Sequence, residues 1–247
     1  MARFDFEATF GEDYLRFYLP RLTEERNLAE TNEIIDTLEL RPGERVLDVP
    51  CGHGRITNLL AARGLEATGV DVSALFLDKA RNDASSAGVT VSYERGDMRQ
   101  LPVDGPFDAI VCWFTSFGYF DDDENRQVLR EFRRVLRPGG RLLVETIHRD
   151  WFVRNFTPSP FAGVEQVGED MSLDRTTFDP EFGGIHTERI LLRDGRVTTH
   201  VFSVRLPTVP ELRQWLAEAG FNAAYFRGRS GAVLDLSSQR LVVLAYA

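Results

Sequence analysis

"VLDVPCGHGR", residues 46–55, carries an apolar stretch into an acid and then into a turn that holds Gly52 and Gly54. A short apolar run bounded by turn residues reads as a buried strand. The stretch after it, "RITNLLAARG", places its apolar residues at helical spacing and stops at Gly64. Glycines between a strand and a helix bring bare backbone close to a small ligand. The same rhythm spreads outward. "EATGVDV" reads as a second strand, and "SALFLDKARNDASSAG" as a helix capped by Ser73 and ended by Gly88. "VTVSYERG" and "FDAIVCWF" follow as strands three and four. "DENRQVLREFRRVL" is an amphipathic helix with acids at its start and arginines at its end, which suits the helix dipole. "RPGG" stops it before a fifth strand, "RLLVETI".

Alternating strands and helices with near-continuous apolar strands predict a parallel sheet covered on both faces, with its ligand at the carboxyl ends of the strands. Residues 12–40 read as helical, broken at Pro20. Residues 151–207 lose the rhythm. They alternate apolar and polar positions, turn at Asp194-Gly195 and carry no helix signal, so they predict an antiparallel insertion. A helix, "TVPELRQWLAEAG", and two closely spaced strands, "FNAAYFRG" and "QRLVVLAYA", complete the pattern, the last pair antiparallel. The expected organisation is a helical lid over 1–40, a ligand-binding core over 41–150, the β insertion over 151–207, and a return to the core over 208–247.

The acids indicate the ligand. A dinucleotide site wants Gly-x-Gly-x-x-Gly, and here Thr57 stands where the third glycine belongs. Asp48, at the end of the first strand, would repel a diphosphate and suits a ligand bearing a cation. Asp71 ends the second strand, where an acid takes both hydroxyls of a ribose. Asp97 follows the third, where it would accept from an exocyclic amine while the Met98 amide serves a ring nitrogen. Each alone has an ordinary explanation as a helix cap or a solvated loop acid. Together they run cation, ribose, adenine.

On these motifs the chain resembles the class I S-adenosylmethionine-dependent methyltransferases from about residue 40 onward. "VLDVPCGHG" is similar to that family's Asp-x-Gly-x-Gly-x-Gly, with Pro50 in place of the first glycine. "GVDVS" resembles its ribose motif, "GDM" its adenine motif, and "LRPGGRLLVE" the helix and strand that follow strand four. The resemblance implies a Rossmann-like α/β fold: seven strands, mostly parallel with the last antiparallel, a helical N-terminal lid and a small antiparallel β insertion. It also implies S-adenosylmethionine as cofactor, S-adenosylhomocysteine as product, and a cofactor site built from Asp48, Pro50, Cys51, Gly52, Gly54, Asp71, Val72, Asp97, Met98 and Trp113. The turn at Cys51-Gly52 is expected to cradle the methionine portion with its amides. The N-terminus and the insertion resemble, more loosely, those of bacterial small-molecule methyltransferases, including amino-sugar N-methyltransferases.

Methyl transfer from a sulfonium needs alignment more than acid–base help, and a base becomes useful only for a protonated amine or a hydroxyl. His148, just past the fifth strand, is the first candidate for that base; equally, it is a loop histidine holding a backbone carbonyl. Tyr119 and Trp113, in the aromatic "WFTSFGYF", are expected pocket residues, while Phe114, Phe117 and Phe120 are also explained by packing under the next helix. Tyr14 and Tyr18, four apart, share a helical face and either close over the crevice or join the core. His53 is expected to face solvent or to cap its helix. Arg149 and Arg154 are candidates for a substrate anion or plain surface residues.

A net charge of −9 argues against a nucleic-acid partner, because that affinity comes from clustered Lys and Arg. Two cysteines, Cys51 and Cys112, leave no disulfide framework and no Cys-rich metal site, and no metal is expected. No run reaches the roughly 18 apolar residues of a membrane span, so a cytoplasmic protein is expected. The partner is expected to be a small-molecule acceptor, with a homodimer open through the insertion. The rival readings are a nucleotide-dependent oxidoreductase or epimerase on a similar sheet, and a non-catalytic module that keeps the cofactor fold.

Overall fold

The computed structural model describes residues 6–157 and 163–247; the first five residues of the expected lid, and 158–162 of the expected insertion, lie outside them. The helical start divides into α1 (Phe6–Thr9), α2 (Glu12–Tyr18) and α3 (Glu24–Leu38), with Pro20 in a tight turn between the last two. Thr23 caps α3 by accepting from the Arg26 amide at 3.3 Å. The core then runs β1 (Arg45–Asp48), α4 (Arg55–Ala62), β2 (Glu66–Asp71), α5 (Ala74–Ala87), β3 (Ser92–Arg95), β4 (Phe107–Cys112), α6 (Asp122–Val135) and β5 (Leu136–Ile147). After α7 (Arg149–Asn155) come β6 (Gly163–Val167), β7 (Asp170–Asp179), β8 (Gly184–Arg193) and β9 (Arg196–Arg205). The chain returns through α8 (Val209–Glu218), β10 (Ala223–Arg227) and β11 (Arg240–Tyr246).

Two sheets result. The larger has strand order β10-β11-β5-β4-β1-β2-β3, parallel from β3 to β5 and antiparallel at β11 and β10. The smaller is an antiparallel sheet in the order β6-β7-β8-β9. The expected α/β architecture and its insertion are both present. The large sheet is apolar on both faces: Val46, Leu47, Ile110, Val111 and Leu142 are wholly buried, and Phe132 and Leu129 of α6 close over one side.

Two local expectations are corrected. "RPGG" ends α6 but does not precede the strand; β5 begins at Leu136, pairs with Phe107, and loops Arg137–Gly140 out before Arg141 meets Ala109. Gly139, at φ +72°, turns that bulge, and its amide donates to the Ala247 carbonyl at 2.8 Å. The insertion region also contains a helix, α7, whose seven residues carry too few apolar positions to show a period. Among the described residues no helix is long and apolar enough to cross a membrane.

Candidate active site

The residues after β1 tie its carboxyl end to both neighbouring strands, β4 and β2, by backbone bonds. The Val49 amide donates to Val111 O and the Cys51 amide to Val70 O, each at 2.9 Å. The Gly52 amide donates to Asp71 Oδ2 at 2.8 Å. The amides expected to cradle a ligand are therefore spent inside the protein, and the turn is held by the neighbouring strand's own acid. Asp71 takes the Ser73 amide on its other oxygen at 2.9 Å; burial nevertheless raises its pKa.

Asp48 is 3% exposed and accepts from the Thr57 hydroxyl at 2.6 Å. Burial is the main force on this carboxyl and lifts its pKa to about 7, against the pull of Thr57 and of Arg55. A buried carboxyl so far from its usual value is one that a cation would stabilise. Asp97 is gripped by Arg99, whose Nη2 lies 2.6 Å from Oδ2 and whose backbone amide donates to Oδ1 at 2.8 Å.

These ends open on a cavity of about 880 Å³. Asp48, Pro50, Cys51 and Gly52 border it from the first turn, Asp71 and Val72 from the second, and Asp97 and Met98 from the third. Trp113 and Tyr119 border it from the loop after β4, and Tyr14 and Tyr18 from α2. Two predicted residues do not reach it. Gly54 lies behind the turn: a Cβ there would stand 2.4 Å from the Tyr93 hydroxyl and 2.7 Å from Ala80 Cβ, so this glycine lets α4 pack against β3 and α5. His148, the candidate base, is buried at the head of α7, with Nδ1 2.9 Å from the Ser238 carbonyl. It holds a loop in place, the ordinary alternative for that residue.

His53, expected to face solvent or cap its helix, does neither: the N-cap is Gly54, and His53 is buried on the cavity wall edge-on to Phe76, where burial lowers its pKa to about 4. Phe117 and Phe120 sit in the core under α6, although Phe120 also touches the cavity. Arg149 lies over the Phe178 ring and, like Arg154, does not border the cavity.

The other half of the wall is the small sheet. Its inner face presents Asp174, Thr176, Thr187, Arg189 and Phe202 to the cavity. Arg189 donates to both oxygens of Asp174 at 2.7 Å and to the Tyr18 hydroxyl at 2.5 Å. Tyr14 stacks flat on Tyr18, ring centroids 4.6 Å apart. Burial raises the Tyr14 pKa to about 12 and pushes those of Tyr18 and Tyr119 up as well, so the phenols stay protonated. Cross-strand register carries the missed signal, since Asp174 faces Arg189 and Thr176 faces Thr187 directly across β7 and β8.

An acid-rimmed crevice at the strand ends of a seven-stranded sheet, without a diphosphate-type glycine turn, defines the class I S-adenosylmethionine-dependent methyltransferases. Residues 46–140 match the family model described as a methyltransferase domain. The chain is 32% identical over 189 residues to YqeM of Bacillus subtilis (strain 168), whose name classes it with the methyltransferases, covering 72% of this chain and 73% of that one. The chain belongs to this family.

It is also 33% identical over 126 residues to the ubiquinone biosynthesis O-methyltransferase of Coxiella burnetii, and spans 51%, about half, of the length of that relative. Among solved structures the fold is shared with the CcbJ methyltransferase of Streptomyces caelestis, at TM-score 0.77 and 23% identity over 90% of this chain and 89% of that one. It is shared too with CalS10, an amino pentose methyltransferase of Micromonospora echinaspora, at TM-score 0.69 and 20% identity over 100% of both chains. The residues present fit S-adenosylmethionine, because Asp48 is a buried acid suited to a cation and Asp71 keeps carboxylate lone pairs beyond its two amide bonds.

Proposed function

We propose that this enzyme transfers a methyl group from S-adenosylmethionine to a nitrogen or oxygen atom of a small-molecule metabolite, such as a secondary metabolite, sugar or amino-acid derivative, and releases S-adenosylhomocysteine. The observation that carries the reading is one chamber with strand-end acids on its floor and aromatic rings on its roof. Its volume of about 880 Å³ is that of a site holding two small molecules, and no groove for a polymer is needed to explain it.

Bound there, the sulfonium supplies a methyl carbon already activated for displacement. What remains for the chain is alignment and exclusion of water. Asp48 would favour the cationic end and Asp71 the ribose hydroxyls; Asp97 and the Met98 amide would face the adenine. Pro50, Cys51, Gly52 and Val72 would shape the wall between them, with Trp113 at its side and Gly54 supporting the turn from behind. Residues 1–40 act as the lid in this reading, and the insertion covers the acceptor.

The acceptor side supplies hydrogen-bond donors and no strong base. Tyr14, Tyr18 and Tyr119 stay protonated, and Asp174 is engaged by Arg189. That favours nitrogen, whose lone pair is ready once the amine is neutral, over an unactivated hydroxyl. Similarity to a named O-methyltransferase supports oxygen as the second reading. Two buried free thiols suit a reducing compartment and support a cytoplasmic reading, and the net charge of −9 supports a small-molecule partner over a nucleic acid.

Calorimetry with S-adenosylhomocysteine and, separately, NAD tests the cofactor. Binding of the first alone is expected, and Asp71→Ala should weaken it about thirtyfold by stranding ribose hydroxyls and two backbone amides. An unchanged dissociation constant removes Asp71 from the site. Labelled methyl donor incubated with a metabolite pool, read by mass spectrometry, then identifies the acceptor.

A further inference from the structure

The chamber contains positive charge, but that charge is matched. Among the described residues four arginines border the cavity, and each has a carboxylate: Arg21 with Glu165 and Arg55 with Glu30, both at 2.6 Å, Arg189 with Asp174 at 2.7 Å, and Arg240 with Glu145. What is left over is hydrogen-bond donors. Arg189 spends Nε on Asp174 and Nη2 on Asp174 and Tyr18, while Nη1 has no hydrogen-bond partner among the described residues. Tyr18, having accepted from Arg189, keeps its own O–H, for which no described residue supplies an acceptor. The Tyr14 hydroxyl beside it has no hydrogen-bond partner among them either.

These donors stand among rings. The Arg189 guanidinium lies 4.9 Å from the centroid of Tyr18 and 5.1 Å from that of Phe202, and Tyr119 faces Phe10 at 5.6 Å. Such surroundings cannot solvate an added anion. A phosphate or carboxylate arriving at Arg189 would have to compete with Asp174 for the guanidinium and leave a net negative charge in a poorly polar place. An uncharged oxygen would take the spare hydrogens without disturbing the pair, and a ring beneath it would stack on the aromatic wall.

We propose that Arg189 Nη1 and the Tyr18 hydroxyl form the acceptor-anchoring subsite, and that it takes a neutral oxygen (hydroxyl, ether or carbonyl) of a ring-bearing acceptor while rejecting phosphorylated or carboxylated analogues. This rests on the methyl-transfer reading. It narrows that reading to acceptors without an anion next to the anchored oxygen.

The probes are two matched pairs, titrated by calorimetry into full-length protein saturated with S-adenosylhomocysteine: phenyl glucoside against its 6-phosphate, and 4-hydroxybenzyl alcohol against 4-hydroxybenzoate. At least one neutral probe is expected to bind about tenfold tighter than its charged partner. Tyr18→Phe, which removes only a hydroxyl, should cut that preference severalfold, with S-adenosylhomocysteine affinity unchanged. The double variant Arg189→Gln/Asp174→Asn, which leaves no buried charge unpaired, should abolish the preference. Equal or tighter binding of the charged probes, no neutral binding up to about 20 mM, or variants that keep the preference would overturn the subsite while leaving the methyltransferase reading intact. Failure of the wild-type protein to bind S-adenosylhomocysteine would overturn both.

Discussion

The floor and the roof of the chamber are built by different physics. Beneath the strand ends, the large sheet and its helices bury Phe107, Ile110, Phe132 and Leu142 to 2% exposure or less. The small sheet meets α2 and the turn after it instead through ion pairs: Arg16 with Asp170 and Arg21 with Glu165 at 2.6 Å, and Arg193 with Asp13 at 2.8 Å. Apolar close packing fixes positions and tolerates little change in volume. Partly exposed ion pairs hold their elements together weakly and allow adjustment. The floor is therefore suited to one invariant ligand, and the roof to a variable one.

The largest effect that would sharpen this contrast is on the floor. Phe132→Ala should cost about 3 to 5 kcal/mol in urea denaturation, and a loss no larger than that of a roof aromatic such as Phe202→Ala would break the comparison. Gly54→Ala should come next, at about 2 to 3 kcal/mol, because φ is +78° and the new methyl would meet Tyr93 and Ala80. Any S-adenosylhomocysteine binding by its folded fraction should remain, since that glycine does not border the cavity.

A smaller effect is set by pH. With a pKa near 7, Asp48 is half protonated in the free enzyme at neutral pH, and a cationic ligand favours its charged form. Binding should therefore release a proton below about pH 7, and affinity should weaken about tenfold per pH unit as pH falls beneath that value. The same raised pKa makes a sign for folding: this group opposes folding above pH 7, and its penalty disappears as pH falls toward the ordinary aspartate value. Calorimetry in buffers of different ionisation heat reads the proton, and Asp48→Asn should flatten the profile. The smallest effect belongs to the outer face of the roof, where Val201→Thr at an exposed β9 position should change stability by less than about 0.5 kcal/mol and leave both ligands' binding alone.

Most of the floor was legible in the sequence, because it depends on local patterns: apolar runs, glycine turns and an acid at the end of each strand. What escaped was set by partners distant along the chain. Gly54 looks like a ligand glycine, and only the approach of Tyr93 shows it to be a packing glycine. His148 sits at the right strand end, but Ser238, ninety residues on, claims its ring. His53 looked like a surface residue until α5 brought Phe76 against it. Arg189 and Asp174 needed the β7–β8 register, and the connection between those strands lacks the Asp-Gly sign that marked the next turn, so the pairing could not be counted from it.

The reversed direction of β11 has its own effect on the composition of the site. A strand that continued the parallel run would bring its last residue to the ligand edge, whereas this one brings its first, setting Arg240 opposite Ile147 and against Glu145. The sheet's final hairpin thereby lends a basic side chain to the same rim that carries the strand-end acids. Chain polarity, rather than any added loop, decides which end of that segment borders the cavity.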